Sequence, residues 1–375
     1  MSPKIRIGVV YGGKSGEHLV SIQTALSVIN AFDFNKYEIV PFYISQQGEW
    51  GTGSLISAPV KREQLEGLGI SKATIASADH AQPAIGKMSA AAIEPLFGQD
   101  QGRIDLIIPL LHGTNGEDGT IQGLFEIANI PYVGAGVLAS AVGMDKVIMK
   151  YIFAQAGLPQ CVYRHFTKSE WHKDQDEHIM EIEVTLGYPC FVKPANLGSS
   201  VGISKANNQS QLVAAVEEAF RYDRKVIVEE FVDAREIEVG ILGNDNPVAS
   251  VCGEIISSSD FYDYNAKYID GQSAMVIPAD IPNPTSDLIR NMAIRAFKAI
   301  DGTGLSRVDF FLQKSDGSIL INEINTMPGF TPFSMYPLLW KETGKSYSEL
   351  LDELIRLALE RHAEKQKINF GVDGL

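Results

Sequence analysis

Arg307-Val-Asp-Phe-Phe-Leu312 and Ile319-Leu-Ile-Asn-Glu-Ile-Asn325, joined through a Ser315-Asp316-Gly317 turn, decide how this chain is read. Short apolar runs on either side of such a turn signal an antiparallel hairpin. Side chains alternate across a strand, so Arg307 and Asp309 share one face and Glu323 and Asn325 share one face. Pairing brings those faces together, and oxygen ligands then meet beside an arginine. Mg²⁺ is a hard cation commonly held by one or two carboxylates plus substrate phosphates, so Asp309, Glu323 and Asn325 make a candidate metal site. The plainer alternative is a solvated strand face.

Working back along the chain, Ala249–Ile255 and Ile237–Leu242 alternate like paired strands, which makes the C-terminal part α+β. Further upstream, Cys190-Phe-Val192 runs into Lys193-Pro-Ala-Asn-Leu-Gly198-Ser199-Ser200-Val-Gly202, followed by a helix around Ser210–Arg221 and the strand Val226–Val228. A Gly/Ser loop lets backbone N–H groups cradle phosphate, with Lys193 as counter-charge; an ordinary hairpin loop reads equally well. No GK[ST] follows, so this is not a Walker A loop. Met144, Val147, Ile148, Tyr151 and Ile152 fall at helical spacing, ending near Gly157 and Pro159. Lys146 at the edge of that stripe is a second phosphate candidate, or a surface lysine. Val228-Glu229-Glu230-Phe-Val232 with Glu236 reads as a hinge suited to an adenine and its ribose, or as a solvated charge run.

At the front, Ile5–Tyr11 is an apolar run ending in Gly12-Gly13, then come helical spacing from Val20 to Ile29 and a second strand-like run, Glu38–Ile44. The pattern repeats at Asp105–Leu111, a polar loop from His112 to Gly119, and the helical Thr120–Ala128. This is an open α/β (Rossmann-like) domain, whose ligands bind at the carboxyl ends of the strands. Glu17 sits at that edge and suits a substrate ammonium; Glu117 and Asp118 there are either functional or simply favourable at a helix start. The segment from 46 to 103 is rich in Gly, Ala, Ser and Gln and reads as peripheral elaboration. Asn325-Thr-Met-Pro328-Gly329 leaves the metal strand as a rigid turn that presents the Gly329 amide and the Ser334 hydroxyl to an anion. An amphipathic helix over Tyr347–Ala363 covers a sheet.

The 375 residues suffice for two or three domains, and 46 acidic against 32 basic side chains give a net charge of −14. That balance opposes binding to nucleic acid or to an anionic membrane surface. The uncharged stretch Ile127–Met144 is broken by Asn129, Pro131 and several glycines, so no membrane span is expected. Cys161, Cys190 and Cys252 are scattered and unpaired in pattern, consistent with a reducing cytoplasm.

These residues resemble the ATP-grasp superfamily and, within it, the D-alanine–D-alanine ligase family. The stretches GGKSGEHLVS, LHGTNGEDG, MDK at Met144–Lys146, VKPANLGSSVG, FYDYNAKY at Phe261–Tyr268, RVDFFL and INEINTMPGFTPFSMYP stand in the family's order over nearly the whole chain. The resemblance implies an N-terminal substrate-binding domain (1–134) and a two-part ATP-grasp fold (135–228 and 229–375), a homodimer, and ATP with two Mg²⁺ or Mn²⁺ ions. It implies phosphate contacts at Lys146, Lys193 and Ser200, adenine and ribose contacts at Glu229, Glu230, Val232 and Glu236, and metal ligands at Asp309, Glu323 and Asn325. Glu17, with Ser199 and Tyr268, matches the network around the first D-alanine. Arg307 and the Gly329 amide match the oxyanion-stabilising groups, while Ser334 and Met335 match the second D-alanine's site. His112 matches a histidine near the substrates. The implied reaction joins two D-alanines through a D-alanyl phosphate for peptidoglycan precursors, with Phe261–Tyr268 as a lid. A ligase joining D-alanine to D-lactate or D-serine, another ATP-grasp amide ligase, and an inactive nucleotide-responsive subunit are the rival readings.

Overall fold

The structure is a computed structural model and describes residues 4–66, 103–198, 201–256 and 274–369. The chain forms two compact units: one holds the residues up to Val137 with Gly329–Pro337 and those from Lys345 onward, the other Leu138–Pro328 with Leu338–Gly344.

The first unit carries a four-stranded sheet in the order β3-β2-β1-β4, with β1 Ile5–Gly12, β2 Tyr37–Ile44, β3 Trp50–Thr52 and β4 Leu106–Pro109. β1 pairs in parallel with both β2 and β4, while β3 runs antiparallel on the edge. Ile7, Val9, Val10, Ile39, Val40 and Ile107 are all buried, the continuous apolar strand of a sheet covered on both faces. The helix His18–Ala31 follows β1, completing the βαβ unit that the spacing predicts. The 46–103 segment is not wholly peripheral, since Leu65 is fully buried and its carbonyl accepts a hydrogen bond from the Tyr11 hydroxyl at 3.1 Å. A single leucine in a polar stretch gives no periodicity by which to see this.

A division at 228/229 would cut through a strand, and one that ends a domain at 375 puts the last helix with the C-terminal sheet. The helix Tyr347–Lys365 instead belongs to the first unit. Asp352 accepts hydrogen bonds from Lys36 and from the Tyr37 hydroxyl, each at 2.7 Å. Arg361 lies 4.3 Å over the Tyr132 ring and donates to the carbonyls of Tyr132 and Gly134. Amphipathicity shows that a helix needs cover and says nothing about which sheet supplies it.

The second unit has two antiparallel sheets. One runs β5-β8-β6-β7, with β5 Tyr163–Thr167, β6 Cys190–Pro194, β7 Ser204–Ala206 and β8 Lys225–Glu230; the other runs β11-β10-β9-β12-β13, with β9 Ala234–Gly243, β10 Val248–Ile256, β11 Ala274–Val276, β12 Gly304–Gln313 and β13 Ile319–Asn325. Trp171, Val192, Leu212, Val216 and Val228 are part of the core behind the first sheet. The helical stripe expected from Met144 divides at Asp145, which caps the helix Lys146–Gln155 by accepting from the amides of Val147 and Ile148, each at 3.1 Å. Lys225 holds the same carboxylate at 2.5 Å. That cap fixes Lys146 in the first turn and Lys150 one turn later on the same face. All three cysteines are free and buried.

Candidate active site

β12 and β13 pair as the sequence implies: Arg307 stands opposite Asn325 and Asp309 opposite Glu323. A bulge follows at once, because Phe310 pairs with Ile321 and leaves Asn322 unmatched. Strict alternation would put Ile321 and Glu323 on the same face. The extra residue resets the alternation, so Ile321 and Ile324 are both buried while Glu323 and Asn325 keep partial exposure. On its other side β12 pairs with β9, and Asp309 is level there with Glu238.

Three acidic side chains therefore lie level across adjacent strands, and Arg307 answers them. Its Nε and Nη2 donate to the two oxygens of Asp309, each at 2.7 Å, and Nε lies 2.9 Å from Glu238. Burial alone would lower the Arg307 pKa, but Asp309 and Glu238 outweigh it and hold the guanidinium firmly charged. Asn325 Nδ2 donates to Asp309 Oδ2 at 3.0 Å. Glu238 is missed by the sequence reading; its signal is that it shares a strand face with Glu236, two residues earlier.

A cleft of about 820 Å³ opens over this hairpin within the second unit, and Lys146, Lys193, Glu229, Glu230, Val232, Glu236, Arg307, Asp309 and Glu323 all line it. Lys146 reaches Glu323 at 3.4 Å and donates to the Leu197 carbonyl at 2.9 Å, so it is no surface lysine. Glu229, expected beside the adenine, has its carboxylate buried between two ammonium groups, 2.5 Å from Lys193 and 3.0 Å from Lys150. Burial would raise its pKa, but Lys150 and Lys193 overcome this and bring it down to about 2. Lys150 is also missing from the sequence reading, although it lies one helical turn from Lys146. Glu230 accepts from the Val162 amide at 2.7 Å. Beside it, exposed Phe231 lies 6.2 Å from the Phe191 ring and 4.7 Å below the Lys205 ammonium, a flat apolar surface at the cleft wall that charge patterning gives no reason to look for.

The donor chemistry of Asp309, Glu323 and Asn325 fits a hard divalent cation: two carboxylates that line the cleft and the amide of Asn325 bonded to Asp309, with no thiolate or imidazole among them. A carboxylate offers roughly four acceptor positions; Arg307 and Asn325 take three of those on Asp309. Among the described residues no group of three or more His, Cys, Asp or Glu is arranged to hold a metal ion. Phosphate oxygens would have to complete any coordination shell.

In the first unit, Glu17 is buried at the start of the helix that follows β1, and its carboxylate lies against Gly113 in the loop after β4. His112, also buried, has its Nδ1 3.8 Å from Glu117, which accepts from the Gly113 amide at 3.0 Å. Burial raises the Glu117 pKa; hydrogen bonding to His112 opposes the rise and the nearby Glu17 charge adds to it. Asp118 plays a structural part, accepting from the amides of Asn115 and Thr120 at 2.8 and 3.0 Å. Ser334 Oγ bonds with Thr331 Oγ1 at 2.8 Å and would lie 3.1 Å from a β-carbon added at Gly329; Met335 is buried. Ser199, Ser200 and the Phe261–Tyr268 segment lie outside the described residues.

Two antiparallel sheets that turn lysines from one and carboxylates from the other onto a single cleft are the ATP-grasp architecture. The D-ala D-ala ligase N-terminus family model matches residues 6–135 and the D-ala D-ala ligase C-terminus model residues 152–356, and the chain belongs to that family. It is 56% identical over 369 residues to the D-alanine–D-alanine ligase of Bacillus cytotoxicus, covering 98% of this chain and 99% of that one. The D-alanine–D-alanine ligase of Geobacillus thermodenitrificans is 54% identical over 368 residues, with 98% and 99% covered. Among solved structures, the VanG D-Ala:D-Ser ligase from Enterococcus faecalis is similar with a TM-score of 0.79 at 36% identity, covering 95% of this chain and 100% of that one. The D-alanine–D-alanine ligase from Coxiella burnetii gives 0.78 at 35%, with 97% and 96% covered. No helix among the described residues is long and apolar enough to cross a membrane.

Proposed function

We propose that this chain joins two D-alanines into D-alanyl-D-alanine with ATP as the driving substrate, through a D-alanyl phosphate, and so supplies a peptidoglycan precursor. The observation that carries the reading is the cleft of the second unit, where Lys146, Lys193 and Arg307 face Asp309 and Glu323. A carboxylate is a poor acyl donor, and phosphorylation turns its oxygen into a leaving group. Charge then spreads over the transferring phosphoryl group, so positioned cations do most of the catalytic work. Lys193 and Lys146 hold the phosphates, and Arg307, fixed by Asp309 and Glu238, opposes the negative charge that develops on oxygen. Phe231, Val232 and the Glu230 backbone receive the adenine, with Glu236 for the ribose.

Members of the family depend on a divalent metal; here Asp309, Glu323 and Asn325 would hold Mg²⁺ or Mn²⁺, which when bound would neutralise phosphate oxygens. Two ions is our reading of the number, and a homodimer in the cytoplasm our reading of its state. For the first unit, we assign the ammonium of the first D-alanine to Glu17, with His112 beside it, the carboxylate of the second to Ser334 next to Met335, and oxyanion stabilisation to the Gly329 amide.

The test is ADP release coupled to product mass spectrometry, with D-alanine, L-alanine, D-serine and D-lactate supplied singly and in competition. D-alanyl-D-alanine as the main product is expected. Predominant D-alanyl-D-serine or ester would overturn the substrate assignment, and D-alanine-independent ADP release the ligase reading itself.

A further inference from the structure

Lys150 is completely buried, and a buried lysine in an enzyme core needs a reason. Its ammonium lies 3.0 Å from Glu229 Oε1 and donates to the Cys161 thiol at 3.4 Å, with the Tyr163 ring 5.4 Å away. The same Tyr163 packs against a small apolar cluster of Val147, Ala195 and Ile227. Lys193 takes the other oxygen of the same carboxylate, at 2.5 Å, and unlike Lys150 lines the cleft. Two ammonium groups thus share one carboxylate, while the neighbouring Lys146 is matched by Glu323 at 3.4 Å. The surplus of the Lys150–Glu229–Lys193 group is one positive charge, and only Lys193 can present it to the cleft.

We infer that Lys150 is a positioning residue for nucleotide binding: by neutralising the far oxygen of Glu229 it leaves the charge of Lys193 available to an incoming phosphate. Without Lys150 the remaining pair is neutral, and Lys193 is held by Glu229 alone in a site where charges are poorly screened. The fixed carboxylate also locates the ammonium, so the anion meets a cation that does not have to be reoriented. This inference rests on reading the cleft as the nucleotide site.

The probe is ADP, titrated calorimetrically against the full chain. Lys150→Met is expected to weaken ADP binding about tenfold or more, one charge-assisted contact's worth, with the KM for D-alanine unchanged. The double variant Lys150→Met/Glu229→Gln restores the surplus charge and is expected to bind ADP more tightly than Lys150→Met alone. A merely structural lysine predicts the reverse, since a second loss in one buried cluster deepens the damage. Lys150→Gln, which keeps a donor for Glu229 without the charge, is expected to match Lys150→Met and replaces it if the methionine variant is insoluble. ADP binding by the single variants at the wild-type level, or a double variant that binds no better than the single one, overturns the inference. Wild-type protein that fails to bind ADP overturns the cleft reading instead, and the inference with it.

Discussion

Arg307 grips Asp309 two residues along its own strand, with both nitrogens of one edge of the guanidinium on both carboxylate oxygens at 2.7 Å. A bidentate pair of this kind fixes direction as well as distance. The arginine is thereby aimed by a residue that is itself a proposed metal ligand, so changes to Asp309 and to Glu323 should not be equivalent.

Glu323→Gln removes a negative charge from the proposed metal site and leaves the Arg307–Asp309 pair intact. Turnover should fall roughly 100-fold, about 3 kcal/mol of lost charge stabilisation, with partial recovery as Mg²⁺ is raised. Asp309→Asn should show at least as large a loss that added Mg²⁺ does not recover, because Arg307 also loses the bidentate grip that aims it and keeps only Glu238 and one amide oxygen. Steady-state kinetics across a Mg²⁺ series decide it; identical behaviour of the two variants would mean that Asp309 does not orient Arg307.

For Arg307 itself, lysine keeps the charge but cannot satisfy Asp309 bidentately while reaching Glu238. Arg307→Lys should leave a folded protein with turnover down about 100-fold, the usual scale for loss of one positioned donor. Arg307→Met leaves Asp309 and Glu238 facing each other without a counter-charge, and removing one partner of a buried pair costs about 3–5 kcal/mol. Thermal melts should separate the two variants clearly. Equal melting temperatures would show that the carboxylates do not depend on Arg307.

Much of this hairpin is legible in the sequence because it is made of local quantities. Alternation and a Ser-Asp-Gly turn bring Arg307, Asp309, Glu323 and Asn325 together before any coordinate is known. Glu238 and Lys150 carry only weak local signals, a strand face shared with Glu236 and a helical turn from Lys146, and the reason is physical. Each matters through a partner far along the chain, Arg307 for Glu238 and Glu229 for Lys150, and neither breaks the apolar pattern of its own element enough to stand out. The last helix shows the same limit at the level of fold. Its amphipathic pattern is plain, but its membership of the first unit depends on Asp352 meeting Lys36 and Tyr37, more than 300 residues away.

Acid stability offers a test of the buried lysine pair. Burial alone would raise the Glu229 pKa, yet Lys150 and Lys193 hold it down to about 2, against 4.5 for an ordinary glutamate. A depressed carboxylate contributes stability that is present above pH 4.5 and is lost as the pH falls toward 2. Glu229→Gln should therefore be less stable than wild type at pH 7, by roughly 3 kcal/mol from linkage alone. The gap should narrow as the pH is lowered below 4.5. Urea midpoints at pH 7, 5, 4 and 3.5 measure it. A gap that stays constant over that range would mean that Glu229 is not held ionised by its lysines.

Gly113 links backbone geometry to the first substrate's site. Its φ is +73°, in the left-handed region where a side chain is strained, and a β-carbon there would sit 3.0 Å from Glu17 Oε2. The same contact shell holds Ser15, whose Oγ donates to the His112 carbonyl at 2.7 Å, so a methyl group cannot be relieved by moving the loop without disturbing that bond. The easier adjustment is rotation of the Glu17 carboxylate away from position 113. If Glu17 holds the ammonium of the first D-alanine, Gly113→Ala should raise the KM for D-alanine about tenfold, the scale of one weakened charge-assisted hydrogen bond. The backbone strain should cost about 1 kcal/mol or more of stability. The KM for ATP should be unchanged, since Lys193 and Arg307 belong to the other unit. Gly113→Ala kinetics for both substrates, with Glu17→Gln alongside, make the comparison. A rise in the ATP KM with normal use of D-alanine would place the first amino acid somewhere other than beside Glu17.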